Sequence, residues 1–375
     1  MPNAAPTIAI IGAGIAGLTA AATLRKIGFV ADIYEQAGAF APVGAGVQLN
    51  PNAMKVLRGL GLERHIRGAG FTPEAGYNRE WDTGTITYLH PMGAAIEQRH
   101  GAPDVSLHRA ALHAALLSIN RSTRIHLGKQ LVGLDRAGAR LRLAFADGTT
   151  ADADAVIGAD GVHSVVLKTL FGTGAPRFTG QVAYRAIYRR ELLGTEIDDR
   201  VKWWGPDRHI VSYKVDPRRD ELYFIASTPE PEFTIESWSA RGDLGQLRAA
   251  FAGFHPHARL ILDACPEARK WALVERDPLP RWGEERIVLI GDACHPMLPY
   301  MAQGAGSAME DAVVLARCLD GRDLDGFAAA FRRLERNRKE RTSRIQLGAR
   351  QNVWMRTSAD TAWLYDYDAW TVPLN

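Results

Sequence analysis

The sequence predicts an α/β protein in which a parallel sheet is interrupted by an antiparallel one and followed by a C-terminal helical segment. Three observations carry this. A β-branched run, Thr7 to Ile11, passes directly into glycines and then into an apolar helical stretch through Leu24. Residues 181–265 are rich in Tyr, Trp, Val and Ile at period two, as in an antiparallel sheet. From Asp325 to about Arg356, Phe327, Phe331, Leu334 and Ile345 recur at helical spacing among many arginines. The 375 residues therefore divide into 1–180, 181–270 and 271–375, with the last part returning to the first layer before the C-terminal helices. That C-terminal helix is expected to pack over one face of the first layer. No internal repeat or long Pro/Ser linker separates the parts, so they interleave in one body.

Composition excludes several classes of function. There are 45 Lys and Arg against 42 Asp and Glu, a net charge of +3. That balance creates no field to recruit nucleic acid or an anionic membrane surface, and a small molecule is the expected partner. The opening apolar run is broken by glycines and closed by Arg25-Lys26, whereas a membrane span needs about 20 apolar residues. No basic residue precedes it, as a secretion signal would require. Cys265, Cys294 and Cys318 show no CxxC spacing and cannot pair evenly, which points to a reducing cytoplasm without a disulfide framework. His255-Pro-His257 and the stretch His108 to His113 have no acid or Cys at ligand spacing, so no metal is expected. Arg332-Arg333 and Arg336 to Arg341 read as a solvated helix face, and Cys294 as inert packing.

The glycines carry the first functional signal. In Gly12-Ala-Gly14-Ile-Ala-Gly17, Gly12 permits a tight turn, Gly14 lets backbone approach a pyrophosphate, and Gly17 lets the helix pack on the strand. A second strand from Val30 to Tyr34 ends at Glu35, about 20 residues on, where a carboxylate can accept from both hydroxyls of an adenosine ribose. Glu35 would repel a 2′-phosphate. The ligand at this Rossmann-like turn is therefore FAD or NAD, not NADP.

Two later segments describe a longer ligand held at both ends. Ala155-Val-Ile-Gly-Ala-Asp160-Gly161-Val-His-Ser164 ends a strand in an acidic turn. Arg286-Ile-Val-Leu-Ile-Gly291-Asp292 ends another, followed by Gln303-Gly304-Ala305-Gly306-Ser307 at a helix start. An Asp after a strand can bind a ribityl hydroxyl, and a glycine-rich helix N-terminus can stabilise negative charge on a reduced flavin ring. On the antiparallel part, the stretch from His209 to Lys214 can place His209, Val211 and Tyr213 on one face and Ile210, Ser212 and Lys214 on the other. His209 and Tyr213 are then either substrate-facing or ordinary core packing.

With these three motifs in this order, the chain resembles the single-component FAD-dependent aromatic hydroxylases, the para-hydroxybenzoate hydroxylase-like flavoproteins, along essentially its whole length. Val201-Lys-Trp-Trp204, Asp207-Arg-His209 and the tail from Trp363 to Trp370 are similar to the 6-hydroxynicotinate-hydroxylating branch, with salicylate and 3-hydroxybenzoate hydroxylases as near relatives. The resemblance implies non-covalent FAD, with NADH or NADPH as a transient electron donor. It implies that Gly12, Gly14, Gly17 and Glu35 hold the adenosine diphosphate end and that Arg109 reaches the phosphate and ribityl region. Asp292 would bind the ribityl chain, Gly304 and Ala305 would face the pyrimidine end of the isoalloxazine, and Val47 would run along the flavin. Asp160 is a further cofactor-side candidate. The family's Arg shortly after the motif's Ser is absent here, where Val165-Val-Leu167 precedes Lys168, so Asp160 is either a contact or purely structural.

For chemistry, the resemblance implies hydroxylation of a hydroxylated aromatic or pyridine carboxylate by O2, with CO2 lost where attack falls on the carboxylate-bearing carbon. His209, Tyr213, Gln48, Pro299 and Tyr300 are the catalytic candidates, and the related branch has His where this chain has Gln48 and Tyr300. An oxidase or reductase that inserts no oxygen is the alternative class. The enzyme is expected to be a monomer or homodimer.

Overall fold

The computed structural model describes residues 6–40, 44–172, 174–218, 220–233 and 240–375. Its first layer is a six-stranded sheet ordered Gly283–Glu284, Ile287–Leu289, Ala155–Gly158, Ile8–Ile11, Ala31–Tyr34, Ile125–His126, parallel except for the first pair. Ile8–Ile11 and Ala155–Gly158 are buried at every position, as central strands covered on both faces must be. The helix Ile15–Lys26 packs on Gly304–Leu319. Their seam includes Thr23, whose hydroxyl donates to the Ala312 carbonyl at 3.0 Å. A three-stranded sheet (Leu131–Ala137, Arg140–Phe145, Thr150–Ala153) and a two-stranded one (Gly46–Leu49 with Val105–His108) flank this layer.

The second layer is an eight-stranded sheet ordered Arg241–Gly242, Ala268–Glu275, Arg177–Arg189, Glu221–Pro229, His209–Lys214, Arg200–Trp204, Ala75–Glu80, Ile86–Pro91. It departs from the expected run of strands over 181–265 in two ways. The hairpin Ala75–Pro91 and the strand Ala268–Glu275 join from outside that range, and two helices, Leu244–Ala250 and Pro256–Asp263, lie within it. The helices have local causes. Asp243 caps the first by accepting from the Gln246 N–H at 3.0 Å, and Pro256 opens the second. Leu247, Phe251, Ala258, Ile261 and Leu262 then bury against Val201, Trp203 and Phe224, so the sheet's outer face is covered and its other face is left for the site.

The long C-terminal helix runs Phe327–Gln351, shorter than expected, and stops where Asn352 adopts a left-handed conformation at φ 47°. It packs on Gly304–Leu319 as expected. The reading of its arginines as a solvated face is wrong for two of them. Arg338 is fully buried and pairs with Glu310 at 2.7 Å and Asp311 at 2.8 Å, while Arg341 holds Glu310 at 2.9 Å. Both carboxylates are fully buried and are held below the usual carboxylate range by these cations and, at Asp311, by His295, even though burial pushes the other way. One face of an Arg-rich helix is thus a charged core. Removing a partner from such a buried pair costs about 3–5 kcal/mol because the opposite charge stays behind. Arg338→Met is therefore expected to lower unfolding free energy by roughly that amount, read as a reduced urea midpoint with unchanged slope, and with a larger loss than at the exposed neighbour Arg332.

Candidate active site

The glycine turn is built for close contacts inside and open space outside. Gly12 has φ 102°, and a Cβ there would lie 2.4 Å from the Ala159 carbonyl oxygen. A Cβ on Gly17 would lie 1.9 Å from the Gly12 oxygen. Gly14, by contrast, has nothing within 4 Å, and it precedes a helix whose first turn has no side-chain cap. Uncapped N–H groups beside open space form a cradle for a phosphate. Glu35 accepts from the Ala13 N–H at 2.8 Å and from the Ala37 N–H at 2.9 Å, so it ties the turn to the end of the second strand while standing beside that cradle.

Asp160 is differently engaged. Its carboxylate accepts from the Ser164 hydroxyl at 2.6 Å and from the N–H groups of Val165 at 2.8 Å and Val166 at 3.2 Å, and it does not line the cavity described next. Those bonds fix the start of the helix Val165–Phe171. They supply a structural reason for an Asp at this position without the missing Arg.

Between the two layers lies a cavity of about 720 Å³, of the size that holds organic cofactors and substrates. Its first-layer wall carries Val47, Gln48, Arg109, Asp292, Gly304 and Ala305. The 3-10 turn Pro299–Met301 follows the strand-end Asp292, and Ala302 in a left-handed conformation (φ 52°) redirects the chain into Gly304–Leu319. Gln303 does not cap that helix because its side-chain amide donates to Asn50 and accepts from Asn52, both at 2.8 Å. The helix N–H groups are left for the cavity end. Arg109 begins the helix Arg109–Ser118, anchored by its own N–H on the Ala45 carbonyl at 2.8 Å. Protein around Asp292 pushes its carboxyl upward, while Arg109 and His295 pull it back. An uncapped helix end, an Arg and an Asp line this cavity, while the glycine turn and Glu35 are not among its lining residues and form a separate phosphate cradle; together the two have the chemistry to hold a dinucleotide with a fused-ring head.

The opposite wall is the inner face of the antiparallel sheet. His209, Val211 and Tyr213 all line it, whereas Lys214 turns away to pair with Asp199 at 2.8 Å. Cross-strand register sets Arg200 opposite Tyr213 and Trp204 opposite His209. Burial, aided by nearby Lys202, holds His209 well below the ordinary imidazole range, and burial raises the Tyr213 phenol well above its own, so both are neutral near pH 7. Gly46 makes room for this wall, since a Cβ there would sit 2.9 Å from the Tyr213 hydroxyl and 2.8 Å from Tyr223. Pro299 and Tyr300 lie at the same end, with the Tyr300 ring edge-on to His209 at 5.0 Å and its phenol pushed to about 12 by burial.

Several lining residues escaped the sequence reading. Arg200 and Lys202 alternate with Val201 and Trp203 on the strand Arg200–Trp204, and this period-two signal was open to the same treatment as the next strand. Arg185, Trp354, Met355 and Tyr365 also line the cavity, the last three from the chain after the long helix. No local pattern identifies these, because only the tertiary return of the C-terminal segment brings them to the sheet.

Residues 5–349 match the family described as FAD binding domain. The chain belongs to that family. It is an FAD-dependent aromatic monooxygenase. The enzyme is 42% identical over 372 residues to 6-hydroxynicotinate 3-monooxygenase of Bordetella bronchiseptica, covering 98% of this chain and 97% of that one. It is 40% identical, with the same coverage, to 6-hydroxynicotinate 3-monooxygenase of Pseudomonas fluorescens. The crystal structure of Klebsiella pneumoniae HpxO complexed with FAD and uric acid matches it with a TM-score of 0.82 at 26% identity, over 96% of this chain and 91% of that one. No helix among the described residues is long and apolar enough to cross a membrane.

The glycine geometry separates two outcomes. Gly17→Ala is expected to give little folded protein, because its Cβ would meet backbone that cannot yield. Gly14→Ala is expected to fold with near-parental thermal stability yet to release flavin more readily, as measured by free FAD fluorescence after gel filtration. Glu35→Ala is expected to lose flavin too. Full retention by Glu35→Ala would separate that carboxylate from the ribose.

Proposed function

We propose that this monooxygenase hydroxylates a hydroxylated aromatic or pyridine carboxylate, with 6-hydroxynicotinate as the first substrate to try. The observation that carries the reading is the shared wall of His209 and Tyr213, facing the helix N-terminus at Gly304 and Ala305 across one cavity. FAD bound along the glycine turn and that helix, and reduced by NADH or NADPH, supplies the activated oxygen. The protein's own residues prepare the ring. An electrophilic oxygen donor needs an electron-rich carbon, so the ring hydroxyl must be held close to its ionised form.

His209 and Tyr213 suit that task as neutral hydrogen-bonding groups. With Lys202 as an ammonium, which can only donate, the Asn352 Oδ1 faces Lys202 at 2.8 Å and its Nδ2 is left to donate to His209 Nδ1 at 3.3 Å. The neutral imidazole then carries its proton on Nε2. An imidazole N–H and a phenol O–H both favour a substrate oxygen that bears negative charge. Gln48 adds an amide that can donate to a carboxylate or accept from a ring N–H, and Pro299 shapes the oxygen-facing end. Trp354 and Met355 help to exclude water.

A second reading rests on Gln48 and Tyr300. Neither titrates near neutral pH, and a pocket so equipped also suits salicylate or 3-hydroxybenzoate. The three cysteines are buried and unpaired, which supports a cytoplasmic enzyme.

The direct test supplies 6-hydroxynicotinate, NADH and O2 and looks for 2,5-dihydroxypyridine with released CO2. Rapid NADH oxidation that yields only peroxide would make this compound an effector, and absence of stimulation would move the substrate to the benzoate series. On the substrate so found, His209→Asn and Tyr213→Phe are each expected to lower kcat by about 10²–10⁴-fold with FAD still bound. Parent-like kinetics in both would return the pair to a packing role.

A further inference from the structure

The cavity face of the antiparallel sheet is unusually cationic. Arg185, Arg200 and Lys202 all line it. Arg200 is matched by Asp104, which accepts from its Nη2 at 2.6 Å, and Arg185 lies over the Trp271 ring with its guanidinium carbon 4.0 Å from the centroid. Lys202 differs from both in its surroundings. Among the described residues no carboxylate pairs with it. Its Nζ donates to Asn352 Oδ1 at 2.8 Å and lies 3.5 Å from the Trp204 ring centroid and 5.6 Å from that of Tyr300.

An ammonium has three donors, and the hydrogen bond to Asn352 and the face of Trp204 leave capacity toward the cavity. The groups around it are Trp204 on its own strand, His209 on the next, Tyr300 from the 3-10 turn, and Asn352 and Arg356 from the chain after the long helix; Asn78 stands opposite it on the hairpin strand. None supplies negative charge. The imidazole of His90, further along that hairpin, is held down to about 4 by burial and Arg200 and contributes no charge near neutral pH.

We propose that Lys202 is the specificity-determining residue that receives the substrate's carboxylate, selecting acids over their neutral amides. The inference rests on the reading of this cavity as the site for an aromatic acid, and deepens it by naming the group that recognises the acid. A buried amine with no acid beside it is costly as a cation until an anion arrives. In agreement with this, burial, with help from Arg356, holds Lys202 well below the ordinary lysine range. Asn352 contributes by positioning, because it accepts from Lys202 on one side and reaches His209 on the other. Recognition of the carboxylate is thereby tied to the imidazole that serves the ring hydroxyl.

The test uses the FAD-loaded enzyme and two acid–amide pairs, 6-hydroxynicotinate with 6-hydroxynicotinamide and 3-hydroxybenzoate with 3-hydroxybenzamide. Binding is read from the change in the flavin absorption spectrum. The parent enzyme is expected to bind at least one acid roughly 30-fold or more tighter than its amide, the scale of a desolvated charge pair. Lys202→Met should bring the two within about threefold, chiefly through loss of acid affinity, and Lys202→Arg should recover part of the preference. Lys202→Gln serves as the second neutral variant should Lys202→Met fail to retain flavin. An acid preference that persists in both neutral variants overturns the proposal and passes the role to Arg200 or Arg185. Equal binding of acid and amide by the parent also overturns it while leaving an aromatic site in place. Silence from all four compounds in the parent overturns the aromatic-acid reading itself and this proposal with it.

Discussion

The buried ion network around Arg338 is the constraint on which the rest of the structure depends. Through Glu310 and Asp311 it locks the long C-terminal helix to the helix Gly304–Leu319. Asp311 also accepts from the Gly291 N–H at 3.0 Å and holds His295 at 2.6 Å, so the turn that presents Asp292 is fixed from behind. Glu310 accepts from Asn52 at 2.7 Å, and the chain of contacts continues through Gln303 and Asn50 to Asp104 and Arg200 on the other wall of the cavity. Directional bonds between charged groups admit few alternative geometries. Apolar packing alone would let the two walls slide by fractions of an ångström, and an oxygen-transfer site cannot tolerate such play.

This network explains why the cavity-facing N-terminus of Gly304–Leu319 can remain uncapped. Gln303 would be the natural cap, but its amide belongs to the network, and the helix is held instead by two adjacent charges, Glu310 and Asp311, about two turns further along. Rigidity comes from the body of the helix, and the N-terminal N–H groups stay available to a ligand. The same division holds at the first glycine turn, where Gly12 and Gly17 are consumed by packing and Gly14 is left open.

Much of this was legible in the sequence, and the parts that were not share a cause. The first strand, the glycine turn, Glu35 and the alternation of His209, Val211 and Tyr213 are local patterns, and each lies where its period puts it. Arg338 and Arg341 were misread because a run of arginines says nothing about which face meets buried acids some 30 residues away in sequence. The helices at 244–263 carried legible signals, a capping Asp and an opening Pro, that the surrounding aromatic and β-branched residues obscured. Asp160, read as either a contact or purely structural, spends its oxygens on its own loop, which gives the structural alternative a physical basis. Lys202 entered only as part of the Val201-Lys-Trp-Trp204 likeness, with no role of its own, because its significance depends on the lack of a nearby acid, which no spacing reveals.

The left-handed turn at Asn352 has a consequence for how the enzyme comes into being. It ends the long helix, and the chain beyond it brings Trp354, Met355 and Tyr365 to a cavity whose other lining residues all lie between Ala45 and Ala305 or at Ala359 and Thr361. During synthesis the glycine turn at Gly12 to Gly17 emerges early, whereas the wall from Trp354 to Tyr365 emerges hundreds of residues later. A growing chain therefore carries its first strand, glycine turn and helix well before the segment that completes the cavity wall exists. Oxygen chemistry at a flavin site open to solvent would waste electrons, and the residues that complete this cavity, Trp354 to Tyr365, are translated only after all its other lining residues.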